Sequence, residues 1–195
     1  MKSVLISIQP KWCELIASGK KTVEVRKTKP KLDVPFKCYI YCTKDKKTLF
    51  FPILTQKLLT KEPVEPYVVN RCGNGKVIGE FICNNIDWHG LNNLIVKEDA
   101  EHTLSGTCLT EEEVLNYLNY QKGTNIYACK NYDFYGWHIS DLKIYDKPKE
   151  LGEFYRHDNT YDNAFGWAFE DREKKVLITR PPQSWCYVES EVTEE

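Results

Sequence analysis

Along the first 45 residues the apolar positions change period three times. Ser3 to Ile8 sets Val4, Ile6 and Ile8 against Ser3, Leu5 and Ser7, the two-residue period of a strand. From Pro10 the spacing turns helical: Trp12, Leu15 and Ile16 share a face, proline sits where a first turn tolerates it, and Gly19 falls where a C-terminal cap is expected. That predicts a helix over Pro10–Ser18. "KTVEVRKT" alternates again, with Val23 and Val25 on one side and Thr22, Glu24, Arg26 and Thr28 on the other, and "FKCYIYCT" reads as a third strand.

Between 44 and 75 the period is lost, Pro63 and Pro66 appear, and a glycine-rich turn follows, so 44–75 reads as an insertion. "KVIGEFICNNIDWH" resumes as a strand with Gly79 as a bulge or close backbone approach. "LTEEEVLNYLNYQKG" predicts a helix capped by Thr110, with three acids in its first turn, Leu115 and Leu118 on its apolar side, and Gly123 as its stop. "YGWHISDLKIYDKP" gives a long strand or pair of strands, and the polar, aromatic stretch after it a short helix followed by an ordered loop or a hairpin. "VLITRPPQSWCYVE" closes with two strands broken at Pro181–Pro182. Strands outnumber helices without a strand–helix–strand rhythm. The expected fold is α+β, mainly β: a small mixed or antiparallel barrel with two or more flanking helices, in one domain over 1–190 with an acidic tail at 191–195.

Composition narrows the chemistry. With 195 residues and 42% hydrophobic content the chain can bury a sizeable core, and a net charge of −1 excludes coating of nucleic acid by bulk electrostatics. Any anion site must be local. The N-terminal apolar run is too short for a signal peptide, and no stretch is long enough to span a bilayer, so the expected setting is cytoplasmic, with no membrane partner. The eight cysteines include no C-x-x-C. Cys38 and Cys42 lie on one predicted strand, about 13 Å apart, which is too far to share an ion. Neither a metal nor another cofactor is expected.

Gly19, Lys21, Glu24 and Arg26 form the spacing G-x-K-x-x-E-x-R across a helix end and the polar face of the next strand. Residues two apart on a strand share a face, so Glu24 and Arg26 can bond each other or a common ligand, and Lys21 can swing over the same patch beside Trp12. Two cations with one carboxylate suit a phosphate or a nucleobase edge. The competing reading is a solvated ion pair among ordinary surface lysines, which fits Lys20, Lys27 and Lys29. A lysine becomes a base or nucleophile where burial or a neighbouring cation favours the neutral amine; Arg26 acts in that direction and Glu24 against it. Thr22 shares the polar strand face. Tyr135, Trp137 and Trp185 could stack on a base, with core favoured for Trp137, and Gln183 and Ser184 beside Trp185 could read a base edge. A thiol catalyst at Cys13 or Cys42 has no local signature.

The motif after a first helix, followed by the "YIYCT" and "VIGEF" strands, resembles the ASCH domain (activating signal cointegrator homology), of the PUA-like superfold. "YGWHISDLKIYDKPKELGEF" and "RPPQSWCYV" look like its longer bacterial and phage-type members. The resemblance implies a β-barrel with a cleft beside the first helix and a role with RNA or nucleotides. Members similar to this chain include an N4-acetylcytidine amidohydrolase and others described as ribonucleases. In that amidohydrolase the motif lysine, Lys21 here, is catalytic; its threonine is replaced by Glu24, and its glutamate falls at Ser105, with Glu101 and Glu111 nearby. Three functions follow as expectations. The first is a module binding RNA or a modified nucleotide through Trp12, Lys21, Thr22, Glu24, Arg26, Gln183, Ser184 and Trp185. The second is a hydrolase on RNA or a modified nucleoside with Lys21 and Glu24 catalytic. The third is a protein-interaction adaptor using 44–75 or 152–170.

Overall fold

The computed structural model describes residues 2–44, 74–90, 97–120, 132–158 and 174–190. Strand β1 (Ser3–Ile8) is buried at all six positions. Val4, Ile6 and Ile8 enter one core cluster and Leu5 enters another, so both faces of the strand are covered. That is the environment of a central strand with a parallel neighbour, and β1 indeed runs parallel to β3 (Phe36–Cys42), Val4 opposite Cys38. Helix α1 (Pro10–Ala17) and strand β2 (Val23–Arg26) make the connection.

The remaining elements are β4 (Val77–His89), α2 (Lys97–Leu104), α3 (Glu111–Leu118), β5 (Phe134–Lys149), β6 (Phe154–Asp158), β7 (Lys174–Leu177) and β8 (Trp185–Ser190). They complete a mixed sheet of eight strands in the order β2-β5-β4-β3-β1-β8-β6-β7. The fold is therefore mainly β. The order is linear, and β2 and β7 at its ends are not paired with each other among the described residues; the pairing carries the mixed sheet but not the barrel closure. Cores form on both faces. Cys13 and Ile16 of α1 join residues of β1, β3, β4 and β5 in the largest cluster, while Val114 and Leu118 of α3 pack with Val25 and Phe134 on the opposite face of β2 and β5.

Gly79 is a close approach, as expected: a Cβ there would lie 2.5 Å from the Lys143 carbonyl oxygen, and the ladder shifts register beside it. Two expectations change. Helix α3 does not reach Gly123, which lies outside the described residues; it ends at Asn119, whose left-handed backbone (φ 59) stops the helix earlier. Helix α2 was not anticipated, because "KEDAEHTL" carries no apolar stripe. The stretch after β5 resolves into a 3-10 turn, Leu151–Glu153, and the antiparallel pair β6 and β7. Nearly all of the 44–75 insertion, residues 159–170 of the 152–170 stretch and the 191–195 tail lie outside the described residues.

Candidate functional site

The end of α1 delivers Lys21 to the interior. The backbone N–H groups of Lys20 and Lys21 both donate to the Leu15 carbonyl at 2.9 Å, so the chain folds back against the helix it has just left. Strand β2 then pairs with β5 so that Glu24 faces Trp137 and Arg26 faces Tyr135, whereas Val23 and Val25 face His138 and Gly136. Alternation therefore sends the valines toward the α3 side and the charged pair toward the face of the largest core. Lys21, Glu24 and Arg26 are only 2%, 5% and 8% exposed.

Each charge is held from several directions. Glu24 Oε1 accepts from Arg26 Nη2 at 2.9 Å, and Lys21 Nζ lies 3.4 Å from Glu24 Oε2. Arg26 Nη2 also donates to the Ser7 carbonyl of β1 at 2.7 Å. Lys21 Nζ donates to the Thr107 carbonyl at 2.5 Å and stands 5.3 Å from the centroid of the Trp12 ring. The loop carrying Thr107 is clipped to the start of β2, because the Gly106 carbonyl accepts from Thr22 N–H (2.8 Å) and Val23 N–H (3.0 Å). Two cations share one carboxylate, which leaves an excess positive charge out of water. Arg26 Nε is buried with no acceptor.

These groups line a cavity of about 550 Å³. Gln9 and Trp12 border it from α1, while Glu113, Asn116 and Tyr117 border it from α3. Pro181, Pro182 and Gln183 complete it from the turn before β8. Ser7 fixes that turn: its Oγ donates to the Pro182 carbonyl at 2.6 Å and its N–H to the Ser184 carbonyl at 2.9 Å. Glu113 bonds Lys11 at 2.9 Å and caps its own helix. The Thr110 N–H, then Lys11, hold its carboxyl below the usual range.

The structure thus brings Trp12, Lys21, Glu24, Arg26 and Gln183 together around one cavity. Thr22 is exposed, and neither it nor Ser184 nor Trp185 lines the cavity. Trp185 serves packing instead: its Nε1 donates to Thr28 Oγ1 at 3.0 Å and its ring packs on Trp137 and Tyr187. Trp137 is fully buried with its edge against Phe36. Cys13 and Cys42 are fully buried in the core, and burial, then the bond to Cys42, push the Cys13 thiol well up. Ser105, Glu101 and Glu111 are exposed and off the cavity; the carboxylate on that side is Glu113. No group of three or more metal-ligating side chains occurs among the described residues, and no described helix is long and apolar enough to cross a membrane.

Sequence reasoning missed the α3 contribution, although Glu113, Asn116 and Tyr117 stand at i, i+3 and i+4 and so share one helix face. The carbonyls of Ser7 and Thr107 leave no signal in a sequence, since every residue has one.

A family model for the ASCH domain matches residues 6–135. No curated protein matches the chain. Among solved structures, a mutant of the ASCH protein from Zymomonas mobilis is similar with a TM-score of 0.49 and 19% identity, covering 96% of this chain and 88% of that one. The ASCH protein from Zymomonas mobilis itself has a TM-score of 0.45 and 17% identity, covering 96% and 87%.

Proposed function

The chain belongs to the ASCH domain family, a PUA-like family associated with RNA binding, and from that premise we propose that its cavity binds a nucleotide of RNA. The observation that carries this reading is the composition of the cavity wall: Lys21 and Arg26, almost fully buried, share a single carboxylate, and Arg26 Nε has no acceptor. An anionic ligand oxygen at the wall neutralises the excess charge that one carboxylate leaves on the two cations. Glu24 fixes the two cations so that the wall is preorganised, and its second role is to accept from a base amino group. Trp12 offers an aromatic flank for a base and Gln183 a polar edge.

Calorimetric titration with nucleosides and nucleoside monophosphates tests this reading. Binding should favour the phosphorylated members and fall at least tenfold in Arg26→Lys, which keeps the charge and removes the planar donor fork. Equal binding of both ligand sets, or an unaffected variant, would sink it.

A second reading, hydrolysis on RNA or a modified nucleoside with Lys21 catalytic, is favoured by one observation: Lys21 Nζ lies in the cavity wall beside a carboxylate, 3.4 Å from Glu24 Oε2. The 2.5 Å bond from Nζ to the Thr107 carbonyl argues for anchoring over chemistry. Mass spectrometry of products from an RNA pool and a modified-nucleoside panel including N4-acetylcytidine, with Lys21→Ala in parallel, separates them. A product made by the wild type and absent from the variant establishes the enzyme; no product from folded protein leaves binding.

A further inference from the structure

On sequence alone Lys27 and Lys29 pass for solvated surface charges. The structure gives them company of one kind. The loop leaving β2 begins beside Arg26 at the cavity wall, and Lys27, Lys29 and Lys31 are exposed while Pro30 between them is buried. Lys27 Nζ stands 5.0 Å from the ring centroid of Tyr117, itself a cavity residue. Lys29 Nζ stands 5.8 Å from the ring of Tyr135. The Lys31 N–H donates to Tyr187 Oη at 2.7 Å, and Lys2 Nζ lies 4.8 Å from that same ring. The Trp185 bond to Thr28 pins the loop, so its lysines project from fixed backbone. Among the described residues, none of these four ammonium groups is ion-paired. Directly across the ladder from Tyr135, Trp88 is 58% exposed.

We propose, resting on the cavity as a nucleotide site, that this loop is the track for the rest of the strand. Single-stranded RNA places one nucleotide in the cavity, lays its flanking phosphates along Lys27, Lys29 and Lys31, and stacks a neighbouring base on Trp88. The three lysines fall within five residues of one pinned loop, close enough together for the flanking phosphates of a flexible strand to follow them. The exposed rings of Tyr117, beside Lys27, and Trp88 suit bases that are free to leave a stack; in a duplex those faces are occupied. A local row of unpaired cations also answers the objection that a chain of net charge −1 is ill suited to a polyanion.

The test compares a short single-stranded RNA, a duplex of the same length and a nucleoside monophosphate, each across a salt series. The proteins are the wild type, the triple variant Lys27→Gln, Lys29→Gln, Lys31→Gln, and Trp88→Ala. These side chains are exposed, so folding should survive, and monophosphate binding should stay unchanged. The single strand should bind tighter than the monophosphate. The triple variant should lose about 2 from the slope of log affinity against log salt, roughly 0.7 per charge. Trp88→Ala should weaken the single strand at least about fivefold. An unchanged slope in the triple variant, or a duplex that competes equally, overturns the track while monophosphate binding leaves the cavity reading standing. If neither monophosphate nor single strand binds the wild type, both readings fall.

Discussion

Lys21, Glu24 and Arg26 at one edge of the sheet, and Lys37, Glu80 and Tyr145 nearer its middle, are each a carboxylate held between donors. Glu80 accepts from Lys37 at 3.1 Å and from Tyr145 Oη at 2.5 Å, one cation to one anion, with side chains partly open to solvent. Burial pushes the Glu80 carboxyl up, but the bonds from Tyr145 and Lys37 outweigh it and hold the group below its usual range. That cluster is closed in both charge and hydrogen bonding. The edge cluster is closed in neither, since it has a cation too many and an unused guanidinium donor, and it lines a cavity. Similar residue types therefore do different work, and the signature of a binding wall is what is left unsatisfied.

The largest expected effect tests that contrast directly. Glu24→Gln leaves two cations facing each other out of water, a change worth about 3–5 kcal/mol and roughly 10 °C of melting temperature in a chain of this size. Glu80→Gln should cost about 1 kcal/mol or less, because solvent screens the partly exposed pair. Thermal denaturation of the two variants side by side decides; equal losses would erase the distinction between the clusters.

A second effect, of about 2 kcal/mol, sharpens the comparison by attacking how the edge cluster is held. Gly106 has φ +73, and a Cβ there would meet Thr22 Oγ1 at 2.4 Å, so Gly106→Ala pays left-handed strain and pushes the loop off β2. The Thr107 carbonyl that anchors Lys21 moves with it. Urea midpoints should fall and monophosphate binding should weaken together; stability loss with intact binding would mean that the loop does not position Lys21.

Much of this contrast was legible in the sequence, and what was not has physical causes. The period-two runs located β1, β2 and β3, and the G-x-K-x-x-E-x-R spacing picked out the three residues that do cluster. Alternation alone could not say whether the polar face of "VEVR" looks to solvent or inward. Burial of all four β2 residues depends on α3 and on the turn before β8, which are distant in the chain. For the same reason Thr22 shared the face in pattern and not in space: the strand begins at Val23, and Thr22 is tied by its backbone to Gly106. Trp185 looked available for stacking because Gln183 and Ser184 beside it could read a base edge, yet Thr28 in the Lys27–Lys31 loop gives its indole N–H a partner.

Third in size, Tyr145→Phe removes one donor from Glu80 and should cost about 1 kcal/mol. Its diagnostic is pH. With Glu80 held below its ordinary value, its contribution is complete above about pH 4.5 and disappears as pH falls through the lowered folded value. Losing the Tyr145 bond raises that folded value, so the variant should show less of this acid-side loss. Urea midpoints between pH 6 and 3 check it, and parallel wild-type and variant curves would show that Tyr145 does not tune Glu80.

The smallest effect comes from a third cluster, half-exposed and on the α3 side of β4 and β5. His89 stacks on Phe134 at 5.1 Å. Burial, then the nearby His102 and His138, push the His89 imidazole below its ordinary value of 6.5, while Asp87 opposes them. His138 and Asp87 bond each other at 2.5 Å. A lowered folded value means that the folded state resists protonating His89, so stability is full above about pH 6.5 and declines as pH drops toward the folded value. The loss should stay under about 1 kcal/mol, because the ring is only half buried. His89→Gln, which cannot titrate, should flatten the urea midpoint between pH 7 and 5.5, whereas the same decline in the variant would show that His89 is not its source. A flat profile would place this cluster with Glu80: charges settled by their neighbours, with nothing left over for a ligand.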